Sequence, residues 1–256
     1  MNAANVHGTP LRGLVGATLG FFIGFAAVSL FSPTAESLQN LRGFTPAMAG
    51  LLVSVPNLTG SLLRIPFAAM VDGDGGKRPL LILLAAAIFG VGGIAVLFQA
   101  GESVLVELYP LVLLFGALGG CGIATFSVGI SQTAYWYPQA RQGTALGTYA
   151  GVGNLAPGIF AFLLTSVTIP ALGLQNSYVL WALVLLAGTV AYAVVGKNAW
   201  FFQLRRAGHS AEEAEQEPHV ALRYEAGVLH DGHLLAAVRV VFSTRIPSRS
   251  GWAWRR

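Results

Sequence analysis

Charge is what this sequence has least of. Asp, Glu, Lys and Arg make up 10% of its 256 residues, where soluble domains carry about 25%. Cysteine is nearly absent. The single Cys121 excludes an intrachain disulfide and a cysteine-based zinc cluster, and its apolar surroundings make packing its default role. The chain also offers no nucleophile–base pair, no metal-ligand cluster and no phosphate loop, so neither an enzyme nor a cofactor or metal is expected. Gly151-Val152-Gly153 follows no strand, which excludes a dinucleotide fingerprint. The net charge of +4 is not gathered into a nucleic-acid patch; its basic residues fall in short loops between apolar stretches.

Hydrophobic residues supply 54% of the chain, and there are 32 glycines, a residue more frequent in membrane helices than in soluble ones. About 20 apolar residues are needed to cross roughly 30 Å of hydrocarbon. Six runs meet that length: about 14–31, 47–71, 80–98, 108–136, 143–167 and 178–195. The first is longer than a signal-peptide core and five others follow it, so it reads as a span. The expected fold is therefore an all-α membrane protein with six transmembrane helices.

Loop charges predict the orientation. Arg12, Lys77, Arg78, Arg141, Lys197, Arg205 and Arg206 fall on one side. Only Arg42 falls on the other, together with Glu36, Glu102 and Glu107. This asymmetry predicts a multi-pass protein of the plasma membrane with a cytoplasmic N-terminus, and an even number of spans agrees with it.

Arg64 is the one ionisable side chain well inside a span. An arginine at a helix centre costs about 2.5–3.5 kcal/mol on insertion scales and normally faces a bundle interior or a wet cavity. The alternative is snorkelling. The seven residues to Val71 make a reach of roughly 10 Å, so a functional role is favoured. A guanidinium is permanently charged and forks onto planar oxyanions; with no Asp, Glu or His in the spans to neutralise it, it suits a small planar anion. The fifth run repeats Gly143, Gly147 and Gly151, then Gly153, Asn154, Pro157 and Gly158. Small residues four apart let helix backbones approach, and Asn154 is an amide that needs a partner in hydrocarbon. The fourth run has Gly116, Gly119, Gly120 and Gly122 before Phe126. It ends in Tyr135-Trp136-Tyr137, which reads as an interfacial aromatic belt. Between the second and third runs, Asp72 to Arg78 reads as a tight turn of acid followed by base.

These residues together resemble the nitrate/nitrite porter family of the major facilitator superfamily. The stretch from Gly143 to Leu155 is similar to that family's glycine-rich helix-five signature, and Tyr135-Trp136-Tyr137-Pro138 to the end of its helix four. Leu63-Arg64-Ile65-Pro66 resembles its anion-gripping helix-two segment. Phe202-Gln203-Leu204-Arg205-Arg206 with Glu212-Glu213-Ala214 looks like the start of its central loop. The Asp72–Arg78 turn is a degenerate form of the superfamily's loop after helix two. The resemblance implies half of a twelve-helix transporter working by alternating access on nitrate or nitrite. It implies that Arg64 binds the anion, Phe126 packs on its plane and Asn154 hydrogen-bonds it, while Gly147, Gly151 and Gly153 let helices rock. The lack of a carboxylate in the spans favours nitrate/nitrite exchange over proton symport. The alternatives are another small anion, or an inactive fragment needing a separate second half or a second copy.

The match departs at Tyr149, where the family has a small amide, at Ile123 and Ala124, which interrupt the glycine run, and at Gln132, which replaces an asparagine. The expected organisation is an N-terminal cytoplasmic segment (1–12), a six-helix bundle (13–198), the start of a cytoplasmic loop (199–217) and an irregular tail (218–256). In the tail, 234–242 is apolar but short and broken by Arg239, and a truncated or frame-shifted reading frame is expected there.

Overall fold

The computed structural model describes residues 6–41 and 43–216. Arg42 and the tail from residue 217 onward, with the apolar stretch 234–242, lie outside the described residues.

Among the described residues all regular structure is helical. The first helix, α1 (Pro10–Val28), starts where the Thr9 side chain accepts the Arg12 N–H and Pro10 supplies a preset φ. After a bend at Ser29 and Leu30 it continues as α2 (Phe31–Gln39). The first span thus reaches eight residues beyond the sequence expectation, because Ser32, Thr34, Glu36 and Ser37 end the apolar run without ending the helix. Helix α3 (Pro46–Asp74) is capped by Thr45 and carries Pro56 and Pro66 inside it. It stops at Gly75, whose φ of 81° a side chain would resist. Helix α4 (Lys77–Ala100) begins two residues later. The acid–base turn is therefore only Gly75-Gly76, with its acids ending one helix and its bases starting the next.

A short α5 (Glu102–Glu107) leads to α6 (Tyr109–Ala134). Helix α6 is the centre of the bundle, and its glycines are why. A Cβ on Gly120 would collide with the Pro56 backbone of α3. One on Gly122 would collide with Gly24 of α1, and the Gly119 backbone leaves no room for one on Gly90 of α4. Three helices thus lean on one glycine cluster at backbone contact.

Pro138 opens α7 (Gln139–Gly153), which passes through Asn154 into α8 (Leu155–Leu163) and a π-helical turn at Leu164–Thr168. Helix α9 (Ile169–Val195) is two helices joined at Gly173, with φ 77° and ψ 169°. Five helical stretches are long and apolar enough to cross a membrane, the last being Arg141–Val195 with 55 residues. A straight helix of that length would run about 80 Å, well beyond one bilayer core of about 30 Å. It does not run straight. Phe160 and Trp181 approach to 6.2 Å between ring centroids, where a continuous helix would hold them roughly 30 Å apart. The chain folds back at Gly173.

Two short helices close one end, α10 (Trp200–Arg206) and α11 (Ala211–Gln216). Helix α10 lies over the aromatic run, so the aromatic-belt expectation is corrected here. Trp136 and Tyr137 are buried, and Trp136 packs edge-on against Trp200 at 5.4 Å. Trp200 Nε1 donates to the Gly8 carbonyl, and Gln203 exchanges two hydrogen bonds with the His7 backbone. The N-terminal segment and the segment after α9 are thereby fastened together.

Candidate functional site

Arg64 is carried by α3, one helical turn beyond Gly60, where the close approach to Gly120 fixes α3 against α6. That contact sets the height of Arg64 relative to Phe126. The guanidinium carbon lies 5.4 Å from the Phe126 ring centroid, within cation–π range. Arg64 Nε is buried and has no hydrogen-bond partner among the described residues.

Phe126 is held from behind by two further aromatics. Phe21 of α1 sits 5.1 Å from it, Tyr149 of α7 stacks on it at 6.1 Å and 27°, and Phe21 meets Tyr149 at 5.2 Å. The Tyr149 hydroxyl donates to the Phe126 carbonyl at 2.9 Å and lies 3.3 Å from that of Thr125. Tyr149 is fully buried. In sequence it was only a departure from a pattern; in space it ties α7 to the backbone of the residue under the guanidinium. The signal available earlier was its spacing. Ala145, Tyr149 and Gly153 recur every four residues and are the buried side of α7.

In front of Arg64 lies a cavity of about 410 Å³ between α1, α2, α3, α6 and α8. Asn57 and Ser61 precede Arg64 on one face of α3, and Ser29 and Ser32 face them across the cavity. Its remaining lining is apolar, including Phe25, Ile123 and Pro157, and no carboxylate takes part. The Asn57 amide donates to its own helix at Val53, and the Ser29 hydroxyl to Phe25. These hydroxyls and this amide went unnoticed in sequence, because serine and asparagine in a span become meaningful only when they surround a charge.

Asn154 is not in that lining. It is exposed, caps α7, and donates to the Ala150 carbonyl at 2.8 Å; Pro157, one turn on, does line the cavity. Gly153 is packed against the Phe21 ring, whereas a Cβ on Gly147 or Gly143 would meet nothing. Gly147 and Gly151 lie on the outward face of α7. At the other end of α6, Gln132 donates to the Lys197 carbonyl and accepts from the Tyr192 hydroxyl.

Compared with known proteins, residues 17–253 match the description of the Major Facilitator Superfamily. The chain belongs to that superfamily. Among curated relatives of this facilitator, the probable nitrate/nitrite transporter NarK2 of Mycobacterium tuberculosis is 30% identical over 190 residues, covering 74% of this chain and 46% of the relative. The nitrate/nitrite transporter NarU of Salmonella typhimurium is 28% identical over 214 residues, covering 77% and 44%. The probable nitrate transporter NarT of Staphylococcus carnosus is 28% identical over 179 residues, covering 70% and 43%. The chain thus spans less than half the length of these relatives. Membership and helix content make this facilitator a multi-pass membrane protein, and its relatives carry the names that the residues of α3 and α7 pointed to.

Proposed function

We propose that this chain carries one half of a transporter for nitrate or nitrite, with Arg64 as the group that binds the anion. One observation supports this above the others. A permanent cation with an unpartnered buried Nε sits over an aromatic ring, at the wall of a cavity that has hydroxyls and an amide but no carboxylate. Among the described residues the cavity lining offers no counter-charge, so in this reading the ligand supplies it. A planar oxyanion accepts two parallel N–H bonds from the guanidinium, and the Phe126 ring limits which way the fork can turn. Asn154 lies one turn from the cavity wall and would reach the anion after a small rotation of α7. Binding without covalent change, followed by rocking of one half against another, is the alternating-access scheme.

In this reading residues 13–198 form six crossings, the fold-back at Gly173 separating the fifth from the sixth. Residues 199–217 begin a cytoplasmic loop, and the N-terminus is cytoplasmic. The outward face of α7, with Gly147 and Gly151, is where a second half or a second copy would pack. Exchange of nitrate for nitrite fits a site without a proton acceptor.

The test is equilibrium binding of nitrate to the purified chain, with acetate and formate as competitors. Arg64→Ala is expected to weaken nitrate binding tenfold or more, the loss of a charge-assisted hydrogen bond being about 1.5–3 kcal/mol. Arg64→Lys keeps the charge, loses the fork, and is expected to fall between. Unchanged nitrate affinity in Arg64→Ala would end the assignment. Formate or acetate binding more tightly than nitrate would move the substrate to small carboxylates.

A further inference from the structure

A second cavity, of about 420 Å³, opens where α3 passes into α4 and shares no lining residue with the cavity at Arg64. Its rim is made by Lys77 and Arg78, the first two residues of α4, and by Arg206 of α10. Its floor is Leu81, Ile82 and Ala85. Positions 78, 81, 82 and 85 share one face of a helix, so the cavity runs from a charged helix start straight onto an aliphatic surface. Ile82 and Ala85 are exposed, which leaves them open to acyl chains in a multi-pass protein.

The charges of the rim are poorly compensated. Asp74 pairs with Arg78 at 3.3 Å and is the one carboxylate to do so among the described residues. Arg206 donates to the Asp74 carbonyl rather than to its carboxylate, and Lys77 Nζ donates to the Ala193 carbonyl at the end of α9. Asn198 holds the seat in shape. It accepts the Lys77 N–H at 2.8 Å and donates to the Asp74 carbonyl. Three cations, one exposed carboxylate and an apolar floor form a receptor for a molecule that is anionic at one end and aliphatic at the other.

We infer that this cavity is a binding site for an anionic glycerophospholipid, its phosphate held by Lys77, Arg78 and Arg206 and its acyl chain laid along Leu81, Ile82 and Ala85. The inference needs the bundle to sit in a membrane and makes no use of the Arg64 site. A free phosphate shares the headgroup chemistry but would leave the floor unused, and that difference separates the two sources. Basic pockets at helix ends are the usual seats of anionic headgroups.

The experiment is native mass spectrometry of the full chain in neutral detergent, titrated with phosphatidylglycerol, phosphatidylcholine of the same acyl chains, or inorganic phosphate. Melting temperature is read in parallel. Phosphatidylglycerol is expected to stay bound and raise the melting temperature, with phosphatidylcholine at least tenfold weaker. Each exposed cation removed is expected to cost about fivefold in affinity, so Arg78→Gln with Arg206→Gln loses about 25-fold. Ile82→Ser is expected to weaken the lipid several-fold. Arg205→Gln, on the same helix but outside the cavity, is expected to stay within twofold. The melting temperature of each variant in phosphatidylcholine reports whether it is folded; the double variant gives up the exposed Arg78–Asp74 pair and the Arg206 bond to the Asp74 carbonyl and is expected to melt somewhat lower there while staying folded. Equal retention of phosphatidylcholine, or phosphatidylglycerol affinity unchanged in the folded double variant, would overturn the site. Displacement of the lipid by millimolar phosphate would reassign it to a soluble anion and overturn the lipid as occupant.

Discussion

At the scale of single residues, the candidate site is a stack with a charge on top: Arg64 over Phe126, and Phe126 backed by Phe21 and Tyr149. Arg64 was legible in sequence because one lone charge in six apolar runs has few explanations. Phe126 was legible only through resemblance, since a phenylalanine in a span is ordinarily core or lipid-facing. Tyr149 was not legible as a support, because its partners are backbone carbonyls on α6, and one sequence does not give the register of two helices. Its role has a measurable consequence. Tyr149→Phe keeps the stacked ring and deletes the hydroxyl that reaches the Phe126 and Thr125 carbonyls. The expected outcome is about 1 kcal/mol of stability lost, together with a several-fold rise in the nitrate dissociation constant, read by melting and by binding on the same preparation. Tyr149→Ala removes the ring as well and is expected to cost about 3–5 kcal/mol.

At the scale of elements, the two glycine-rich helices do opposite jobs. Helix α6 spends its glycines inside the chain, where α1, α3 and α4 each touch its backbone. Helix α7 turns Gly143, Gly147 and Gly151 outward, keeping only Gly153 for an internal contact with Phe21. A run of glycines announces close packing but not with what, so the sequence made the two stripes look alike. Substitution separates them. Gly120→Val places a side chain on the Pro56 backbone, which has no rotamer to yield. It is expected to lose about 3 kcal/mol or to fail to accumulate as folded protein, overpacking costing typically 1–3 kcal/mol. Gly147→Ala meets nothing and is expected to leave the melting temperature of this chain unchanged within about 0.5 kcal/mol. The five helical stretches long and apolar enough to cross a membrane were legible from apolar length. The extension through α2, the π-helical turn and the narrowness of the Gly75-Gly76 turn were not, because polar residues at helix ends look the same in a helix and in a loop.

At the scale of the whole molecule, the N-terminal segment, the α3–α4 turn and α10 are joined at one end by His7, Gln203, Trp200, Asn198 and Asp74. That fastening brings Lys77, Lys197 and Arg206 to one end of the bundle, and it explains why Trp136 is buried rather than at the lipid interface. The orientation proposed from it is open to labelling, and the one native cysteine does not interfere because Cys121 is buried. A thiol introduced at Lys197→Cys is expected to react with a membrane-impermeant maleimide only after cells are opened. One at Ser103→Cys, in the exposed α5, is expected to react on intact cells. The reverse pattern would invert the molecule.

The stack under Arg64 has one more effect. A fixed positive charge partway along a pathway repels other positive charges as strongly as it draws negative ones, and electrostatic barriers of this kind exclude protons and cations from pores. In the proposed transporter, the side chain that admits the anion would therefore also insulate the membrane: sodium, potassium and hydronium would meet a barrier at the point where nitrate would meet a seat.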